Sequence, residues 1–183
     1  ASLDLRLGPV AYRVRASFLP GRKATVKQKL EHLEMHKMDI VNGGVLERGC
    51  VYIVPLLEGL ALKKRTSAMG NPKSSTGRLD VFIRLITDYG TEFDRVREGY
   101  NGPLYAEVSP RTFSVLVRKG SRLNQLRIRR GNPSSTDESM KRLQQQHQVV
   151  ASIRKVDIRD GVPVSVDVQG DKSGGVIGYR ARS

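Results

Sequence analysis

The sequence is poor in cysteine, in aromatic residues and in long apolar runs, and each scarcity narrows the function. Cys50 is the single cysteine among 183 residues, so no disulfide can form within the chain, which fits a reducing cytoplasm. Tryptophan is absent and aromatic residues make up 5%, which leaves few rings for the stacking of nucleic-acid bases. No apolar run approaches the length of about 18 residues that a helical membrane span requires. We therefore expect a cytoplasmic protein without a membrane span.

Acidic residues are scarce relative to basic ones. The chain has 18 acidic and 32 basic residues, a formal net charge of +14. Such an excess favours anionic partners, either nucleic acid or a phosphate-bearing small molecule. The basic residues of 118–130 could form a nucleic-acid stripe, although no aromatic side chains are interleaved with them. The excess also fits a soluble basic surface without any single partner, so charge alone leaves three interpretations open.

Two chemistries lack the residues that they need. A zinc-dependent base deaminase takes one His or Cys from a first motif and a Cys pair from a second, and this chain has one cysteine in total. His32 and His36 lie four residues apart on a predicted helix but form an incomplete ligand set, and we interpret them as solvated. A P-loop has Gly directly before its Lys and opens a helix, whereas Pro72 precedes Lys73 and a strand-like segment follows. We therefore exclude zinc catalysis and a P-loop ATPase.

Short alternating segments, at a spacing of roughly ten residues, dominate the chain and are typical of an all-β barrel or sandwich. The predicted strands span 3–7, 11–15, 45–55, 60–62, 79–85, 103–108, 113–118, 123–128 and 149–168. One helix is predicted over 23–38, and a second starts from the capping-box spacing of 135–138 and ends near Gln148. No linker divides the chain, so we predict a single domain over 1–183. The abrupt start indicates a fragment of a longer chain.

One stretch, 71–79, concentrates the chemistry of phosphate binding. Lys73 and Arg78 supply positive charge, and Ser74 and Ser75 supply small hydroxyl donors between them. Gly77 lets a ligand or another backbone come close. The combination suits a polyanion, above all the phosphate chain of a nucleotide. An ordinary polar turn is the competing interpretation.

Glu107 is the unusual residue of the strand predicted over 103–108. It lies between Ala106 and Val108, on the same alternation face as Tyr105. Strand patterning alone favours an outward, solvated carboxylate. The sharper hypothesis is a general acid/base held in a barrel pocket.

Four separated segments carry a recognisable series of motifs. Asp4 lies in an alternating strand within 1–8, and 73–79 follows the pattern Arg-Ser-Ser-x-x-Arg with lysine first. The turn Gly-Tyr-Asn-Gly at 99–102 precedes Glu107 by five residues, and 120–126 reads Gly-Ser-Arg-Leu-Asn-Gln-Leu. The order and spacing of these segments resemble the dCTP deaminase and dUTPase superfamily, most closely the deaminase branch in its longer, two-half form.

This resemblance implies a mainly β fold, a distorted dUTPase-like β-barrel with one or two short peripheral helices. It implies assembly as a trimer or pseudo-trimer, with active sites between subunits, and deamination of dCTP to dUTP without zinc. Glu107 would deprotonate the attacking water and shuttle protons, and Ser74 and Arg78 would orient that water and Glu107. A Mg²⁺ ion would ride on the phosphates with water ligands, as this ion prefers.

The resemblance also assigns binding roles. The residues that it implies for substrate and phosphate binding are Lys73, Ser74, Ser75, Arg78, Asp94, Tyr100 and Gln125. Asp94 would contact the sugar and Gln125 the triphosphate, while Tyr100 stands in the turn of the third motif. The implied partners are dCTP and dUTP, without nucleic acid or membrane.

Alternatives remain open. A dUTP pyrophosphatase of the same superfamily lacks the glutamate that stands at Glu107, so this residue favours the deaminase, and a bifunctional enzyme would carry out both steps. A non-catalytic module that binds nucleotides or nucleic acid on the same barrel is the alternative from a different class.

Overall fold

The computed structural model describes residues 2–131, 135–150, 156–159, 161–170, 175–179 and 181–182. The chain divides into two compact units, Ala1–Gly131 with Arg180–Ser183, and Asn132–Tyr179. The single domain over 1–183 stays a prediction. The first unit holds every strand found among the described residues, and the second contains a helix. None of the described helices is long and apolar enough to cross a membrane.

Eleven strands are found in the described part of the chain. They are β1 Leu3–Leu5, β2 Val10–Val14, β3 Glu34–Asp39, β4 Gly44–Leu46, β5 Val51–Ala61, β6 Thr66–Pro72, β7 Val81–Thr87, β8 Arg95–Val96, β9 Asn101–Pro110, β10 Val115–Val117 and β11 Asn124–Arg130. They form a four-stranded sheet in the order β1-β11-β6-β8, a two-stranded sheet β10-β4, and a five-stranded sheet in the order β3-β2-β5-β9-β7. All paired neighbours run antiparallel. The mainly β prediction is therefore confirmed.

The strand predicted over 45–55 is wrong in its boundaries, because a turn divides it. Gly49 takes a left-handed backbone with φ +78° between β4 and β5. Strand β5 then continues to Ala61, and so includes most of the predicted separate strand 60–62, and a register irregularity between Pro55 and Gly59 lets it bend. Strand β6 was not predicted, because its sequence ends in Gly-Asn-Pro, residues that are depleted in strands.

The first helix, α1, spans Val26–Leu33 and is shorter than the predicted 23–38. A capping box starts it: the Thr25 side chain accepts from Gln28 N, and the Gln28 side chain accepts from Thr25 N. It ends at Leu33 because Glu34–Asp39 pairs with β2 as strand β3. His36 therefore lies on a strand and does not share a helix face with His32.

Two further helices complete the described structure. Helix α2 spans Ser74–Arg78, where a loop was predicted, and helix α3 spans Asp137–His147, close to its prediction. The N-cap of α3 is Thr136, whose hydroxyl accepts from Ser139 N, so the cap lies one residue beyond the predicted Ser135. The strand predicted over 149–168 is absent from its described positions, 149–150, 156–159 and 161–168; its other positions lie outside the described residues.

The core consists of two hydrophobic clusters, and successive residues of β9 face alternately one and the other. Leu104, Ala106 and Val108 belong to the larger cluster, whereas Tyr105 belongs to the smaller one, with Val26 and others from α1, β2, β5 and β7. Because side chains alternate along a strand, Glu107 points to the same side of the sheet as Tyr105. A carboxylate is thereby directed toward an apolar cluster.

Candidate active site

Glu107 lies in the middle of the five-stranded sheet. Its register partners are Ile53 on β5 and Arg84 on β7. The residue is only 1% exposed, so the interpretation of Glu107 as a solvated surface carboxylate is wrong. A buried carboxylate is costly unless a cation and hydrogen bonds compensate its charge.

Arg84 provides that compensation. Its Nε and Nη2 atoms lie 3.0 Å and 2.6 Å from Oε1 of Glu107. Both donors therefore meet the same carboxylate oxygen. The other oxygen, Oε2, is buried and has no hydrogen-bond partner among the described residues, and the same holds for the hydroxyl of Ser109, two residues further along β9. In this arrangement Oε1 is held by Arg84, and Oε2 is available for proton transfer.

Arg84 is itself firmly held. Its guanidinium carbon lies 3.5 Å from the ring centroid of Phe93 and 4.9 Å from that of Phe82. Its Nη2 also donates to the Ser17 hydroxyl at 2.7 Å. The sequence reasoning missed Arg84, although alternation along β7 places it on the same face as Phe82 and Ile86. A cation on a mostly apolar strand face was the signal that could have found it.

Asp94 joins strands close to this pair. Its Oδ1 accepts from Leu85 N at 2.7 Å, its backbone carbonyl accepts from Gly70 N at 2.7 Å, and its own N–H donates to Leu85 O at 2.9 Å. Burial raises the pKa of the Asp94 carboxyl, the hydrogen bond from Leu85 and the charge of Arg84 lower it, and the charge of Glu107 raises it. Asp94 thus lies within the electrostatic field of Arg84 and Glu107, and its sugar contact stays a prediction.

Tyr100 is buried at 1% exposure. Its hydroxyl donates to Pro103 O at 2.6 Å and accepts from Asp88 N at 3.1 Å. A Cβ at Gly102 would lie 2.8 Å from this hydroxyl, which explains the second glycine of the Gly-Tyr-Asn-Gly turn. Burial raises the pKa of the Tyr100 hydroxyl to about 12. In this structure Tyr100 stabilises the turn before Glu107, and its contact with substrate stays a prediction.

The phosphate-type stretch forms a different kind of surface. Ser74, Ser75 and Arg78 are exposed on α2, whereas the neighbouring Thr76 is buried at 4% and anchors the helix. The prediction of a loop followed directly by a strand is wrong here, since a five-residue helix intervenes. The exclusion of a P-loop now rests on Pro72 alone, which stands where that motif has glycine.

Three of the four motifs meet on the four-stranded sheet. Gln125 on β11 is the register partner of both Asp4 on β1 and Asn71 on β6. Lys73 Nζ forms an ion pair with Asp4 Oδ2 at 2.5 Å, and the Ser2 hydroxyl donates to Gln125 Oε1 at 2.8 Å. This sheet brings Asp4, Lys73 and Gln125 together beside α2.

Glu107 is not joined to this second group. Within the described residues, no hydrogen bond connects Glu107 to Ser74 or Arg78. In the same residues, no group of three or more His, Cys, Asp and Glu side chains is arranged to hold a metal ion. The chain therefore presents a buried acid/base candidate and a separate, exposed set of cations and hydroxyls.

Two family models match the chain. The model of the 2'-deoxycytidine 5'-triphosphate deaminase N-terminal domain covers residues 1–132, and that of the C-terminal domain covers residues 136–183. The boundary between the two models, after residue 132, lies close to the division of the compact units after Gly131, although the first unit also includes Arg180–Ser183. None of the curated proteins compared with the chain matches it.

One solved structure agrees with the family models. The crystal structure of 2'-deoxycytidine 5'-triphosphate deaminase from Agrobacterium tumefaciens is similar at 51% identity and a TM-score of 0.79, over 93% of this chain and 49% of that one. The chain thus spans about half the length of that relative. The native dUTPase of EIAV aligns at 16% identity and a TM-score of 0.41, over 53% of this chain and 75% of that one. A likeness at that level carries no argument.

Proposed function

Because the chain belongs to the 2'-deoxycytidine 5'-triphosphate deaminase family, we propose that it catalyses the hydrolytic deamination of dCTP to dUTP and ammonia without zinc. The resemblance seen in the four motifs is confirmed, and so is the fold that it implied. The single observation that carries the proposal is the state of Glu107: it is a buried carboxylate with Oε1 held by Arg84 and Oε2 without a hydrogen-bond partner in the described part of the chain.

The reaction needs one group that accepts a proton and then returns it. Water adds to C4 of the cytosine ring, and Oε2 of Glu107 takes its proton as the new C–O bond forms. Glu107 then delivers this proton to N3, which receives charge as the ring loses its aromatic bonding. The proton of the added hydroxyl passes to the amino group, the C4–N bond breaks, ammonia leaves, and C4 keeps a carbonyl oxygen. One carboxyl group suffices for both of its transfers.

The exposed residues near α2 would hold the substrate. Arg78 and Lys73 would neutralise phosphate oxygens, the hydroxyls of Ser74 and Ser75 would donate to them, and Gln125 would face the triphosphate. On ligand binding, Lys73 would break its ion pair with Asp4, or it would keep that ion pair and contact a phosphate oxygen as well. Triphosphate binding remote from the ring would supply energy to orient C4 against the water.

Assembly would unite the two regions. Ser74 and Arg78 would orient the water and Glu107, yet no hydrogen bond joins them to Glu107 within the described residues of this chain. A trimer or pseudo-trimer in which α2 of one copy approaches Glu107 of another would complete the site. We place this enzyme in the cytoplasm, in the metabolism of pyrimidine deoxynucleotides.

Magnesium would enter with the nucleotide. The side chains exposed on α2 include the hydroxyls of Ser74 and Ser75 and the guanidinium of Arg78, which fit phosphate oxygens and leave Mg²⁺ to phosphate and water ligands. When bound, the ion neutralises the triphosphate and restricts its conformation. The residues of this chain then act on the phosphates and on the base.

The test is a product assay with the chain, dCTP and Mg²⁺, in the presence and absence of a zinc-selective chelator. We expect equal amounts of ammonia and dUTP, unaffected by the chelator. Pyrophosphate release from dUTP without ammonia from dCTP would indicate a dUTP pyrophosphatase, and ammonia together with dUMP would indicate a bifunctional enzyme. Binding to mixed-sequence DNA with a steep salt dependence, and no nucleotide binding, would identify a nucleic-acid module instead.

A further inference from the structure

We propose that Arg84 is a positioning residue, which fixes Oε1 of Glu107 and thereby reserves Oε2 for proton transfer. This inference rests on the proposed deamination. It assigns a role to a residue outside the four motifs. The two oxygens of one carboxylate would have different tasks, and Arg84 would decide which oxygen has which task.

Arg84 forms hydrogen bonds with only one of the two carboxylate oxygens of Glu107. Nε and Nη2 of Arg84 both approach Oε1, at 3.0 Å and 2.6 Å, instead of dividing between the two oxygens. A fork that met both oxygens would leave neither of them open. Here Oε2 keeps its lone pairs in a buried position, and none of the residues that the structure describes forms a hydrogen bond with it. An unpaired buried oxygen is costly, and the cost is offset when a water or a substrate proton occupies that position.

The side chain of Arg84 is itself held in place by its neighbours. Phe93 stacks on the guanidinium at 3.5 Å, Phe82 lies at 4.9 Å, and Ser17 accepts from Nη2 at 2.7 Å. These contacts restrict the side chain that holds Glu107. Lysine would keep the positive charge but would lose both the planar stack and the two parallel donors. The site therefore depends on a guanidinium and not only on a cation.

Arg84 is a cation next to two carboxyl groups, those of Glu107 and Asp94. Arg84 acts on Asp94 as well as on Glu107, since it lowers the pKa of the Asp94 carboxyl while Glu107 raises it. Loss of the guanidinium would leave two carboxylates in one poorly solvated region. Glu107 would then be free to rotate, and either oxygen could face the ring. A misplacement of about 1 Å costs roughly a hundredfold in rate.

Three variants test the role: Arg84→Ala, Arg84→Lys and, as a matched control, Arg95→Ala. Arg95 forms an exposed ion pair with Glu92 and lies outside the proposed machinery. We expect Arg84→Ala to lower kcat about a hundredfold while KM for dCTP stays within about threefold. We expect Arg84→Lys to lower kcat at least tenfold, and Arg95→Ala to leave both constants unchanged.

Chemical rescue separates positioning from a merely structural role. Millimolar methylguanidinium should restore part of the lost kcat in Arg84→Ala and none in Arg84→Lys, where the lysine fills the position. A variant weakened only by poor folding would gain nothing from this ion. Circular dichroism and thermal melting are measured for each protein, and if Arg84→Ala does not fold, the kcat of Arg84→Lys decides.

The outcomes are distinguishable. Wild-type activity together with unchanged kcat in Arg84→Ala, or in a folded Arg84→Lys, would overturn the positioning role and leave the deaminase function intact. A rise in KM with constant kcat would overturn it as well, because it would make Arg84 a ligand of the substrate. A wild-type protein that releases no ammonia from dCTP would overturn the proposed function, and the positioning role with it.

Discussion

The two regions that would share the catalytic work are built in opposite ways. Glu107 is buried in the five-stranded sheet, and the guanidinium of its ion-pair partner Arg84 lies over the rings of Phe82 and Phe93. The phosphate-type residues Ser74, Ser75 and Arg78 are exposed on a helix of five residues. One region is organised before any ligand arrives, and the other presents its side chains outward.

This contrast follows from the chemistry of each task. A proton carrier must hold its reacting atom in a fixed and dry position, because electrostatic interactions are strong there. A polyphosphate ligand arrives from water and leaves again as product, so its contacts must remain accessible. Substitutions in the buried region should therefore change the rate, and substitutions in the exposed region should change mainly the binding.

Glu107→Gln should have the largest effect. The substitution keeps the shape of the side chain but removes the proton acceptor, so we expect kcat to fall by a factor of about 10² to 10⁴. Ammonia release under saturating dCTP measures it, with Glu92→Gln on the exposed surface as a control. A rate within about tenfold of wild type, equivalent to less than about 1.4 kcal/mol, would refute the acid/base role.

Arg78→Ala should act on the exposed region. Loss of a charge-assisted contact with phosphate, worth about 1.5–3 kcal/mol, should raise KM for dCTP by a factor of about ten or more. Steady-state kinetics measures this, and Arg13→Ala, which breaks an exposed ion pair with Glu47, is the control. Because Arg78 is also proposed to orient the water, kcat should fall as well, and a change confined to kcat would contradict the contact of Arg78 with phosphate.

Tyr100→Phe should affect stability before catalysis. It removes the donor to Pro103 O and the acceptor for Asp88 N, which should lower the free energy of unfolding by about 1–3 kcal/mol. Denaturant unfolding at neutral pH measures this loss. An unchanged free energy of unfolding would show that the two hydrogen bonds contribute nothing net.

The same variant has a pH signature. The pKa of the Tyr100 hydroxyl is about 12 in the folded chain, above its usual value of 10.0. The folded state therefore retains this proton while the unfolded state loses it, and wild-type stability falls as pH rises from 10 to about 12. The decline should be shallower in Tyr100→Phe, which lacks the titrating group. Parallel unfolding curves over that range would contradict the assignment.

Lys73→Arg should have a small effect of opposite sign. Lys73 stands where the family motif has arginine, and a guanidinium can meet two phosphate oxygens at once. We expect the affinity for dCTP to rise about threefold, measured as KM under conditions of slow turnover. An affinity that falls would show that the ion pair with Asp4 requires an ammonium group.

Asp94→Asn should change least. Asn can keep the acceptor for Leu85 N and tolerates the left-handed backbone at φ 63°. Because burial raises the pKa of Asp94 in the folded chain, wild-type stability should fall as pH rises above the usual value of 3.8 through that raised pKa. The variant should lack this decline and should unfold at neutral pH with equal or slightly higher free energy.

The KM of Asp94→Asn for dCTP addresses the predicted sugar contact in the same preparation. A sugar hydroxyl held by Oδ2 would add a rise in KM, since the amide group of asparagine does not accept there. An unchanged KM would leave Asp94 with its role between β6 and β7 alone.

The sequence predicted the family and the residues of the site better than it predicted the burial and packing of those residues. Residue composition led to Ser74 and Arg78 and strand patterning to Glu107, whereas Gln125 came only from the resemblance of its motif to the superfamily. Burial of Glu107 could not be read from alternation, since both faces of β9 are covered. Arg84 was missed because a single cation on an apolar face has no motif, and only the packing of Phe93 and Ser17 reveals its role.

Secondary structure was predicted wrongly where the local residue preferences conflict with strand pairing in the folded chain. The segment Thr66–Pro72 ends in residues that disfavour strands, yet β11 pairs along all of it. The stretch Ser74–Arg78 contains glycine and follows proline, and so it was predicted as a loop. Helix α1 was predicted too long because its apolar spacing continues past Leu33, where pairing with β2 imposes an extended backbone.

Calorimetric titration of dCTP with Mg²⁺ into Glu107→Gln, with and without Arg78→Ala in the same chain, tests the separation of chemistry from binding most directly. Both proteins should turn the ligand over about 10² to 10⁴ times more slowly than wild type, so the heat of binding dominates the titration. The account predicts that Glu107→Gln binds dCTP with an affinity close to the wild-type KM, and that adding Arg78→Ala weakens this binding about tenfold or more. Loss of binding in Glu107→Gln itself, or equal binding by both proteins, would contradict it.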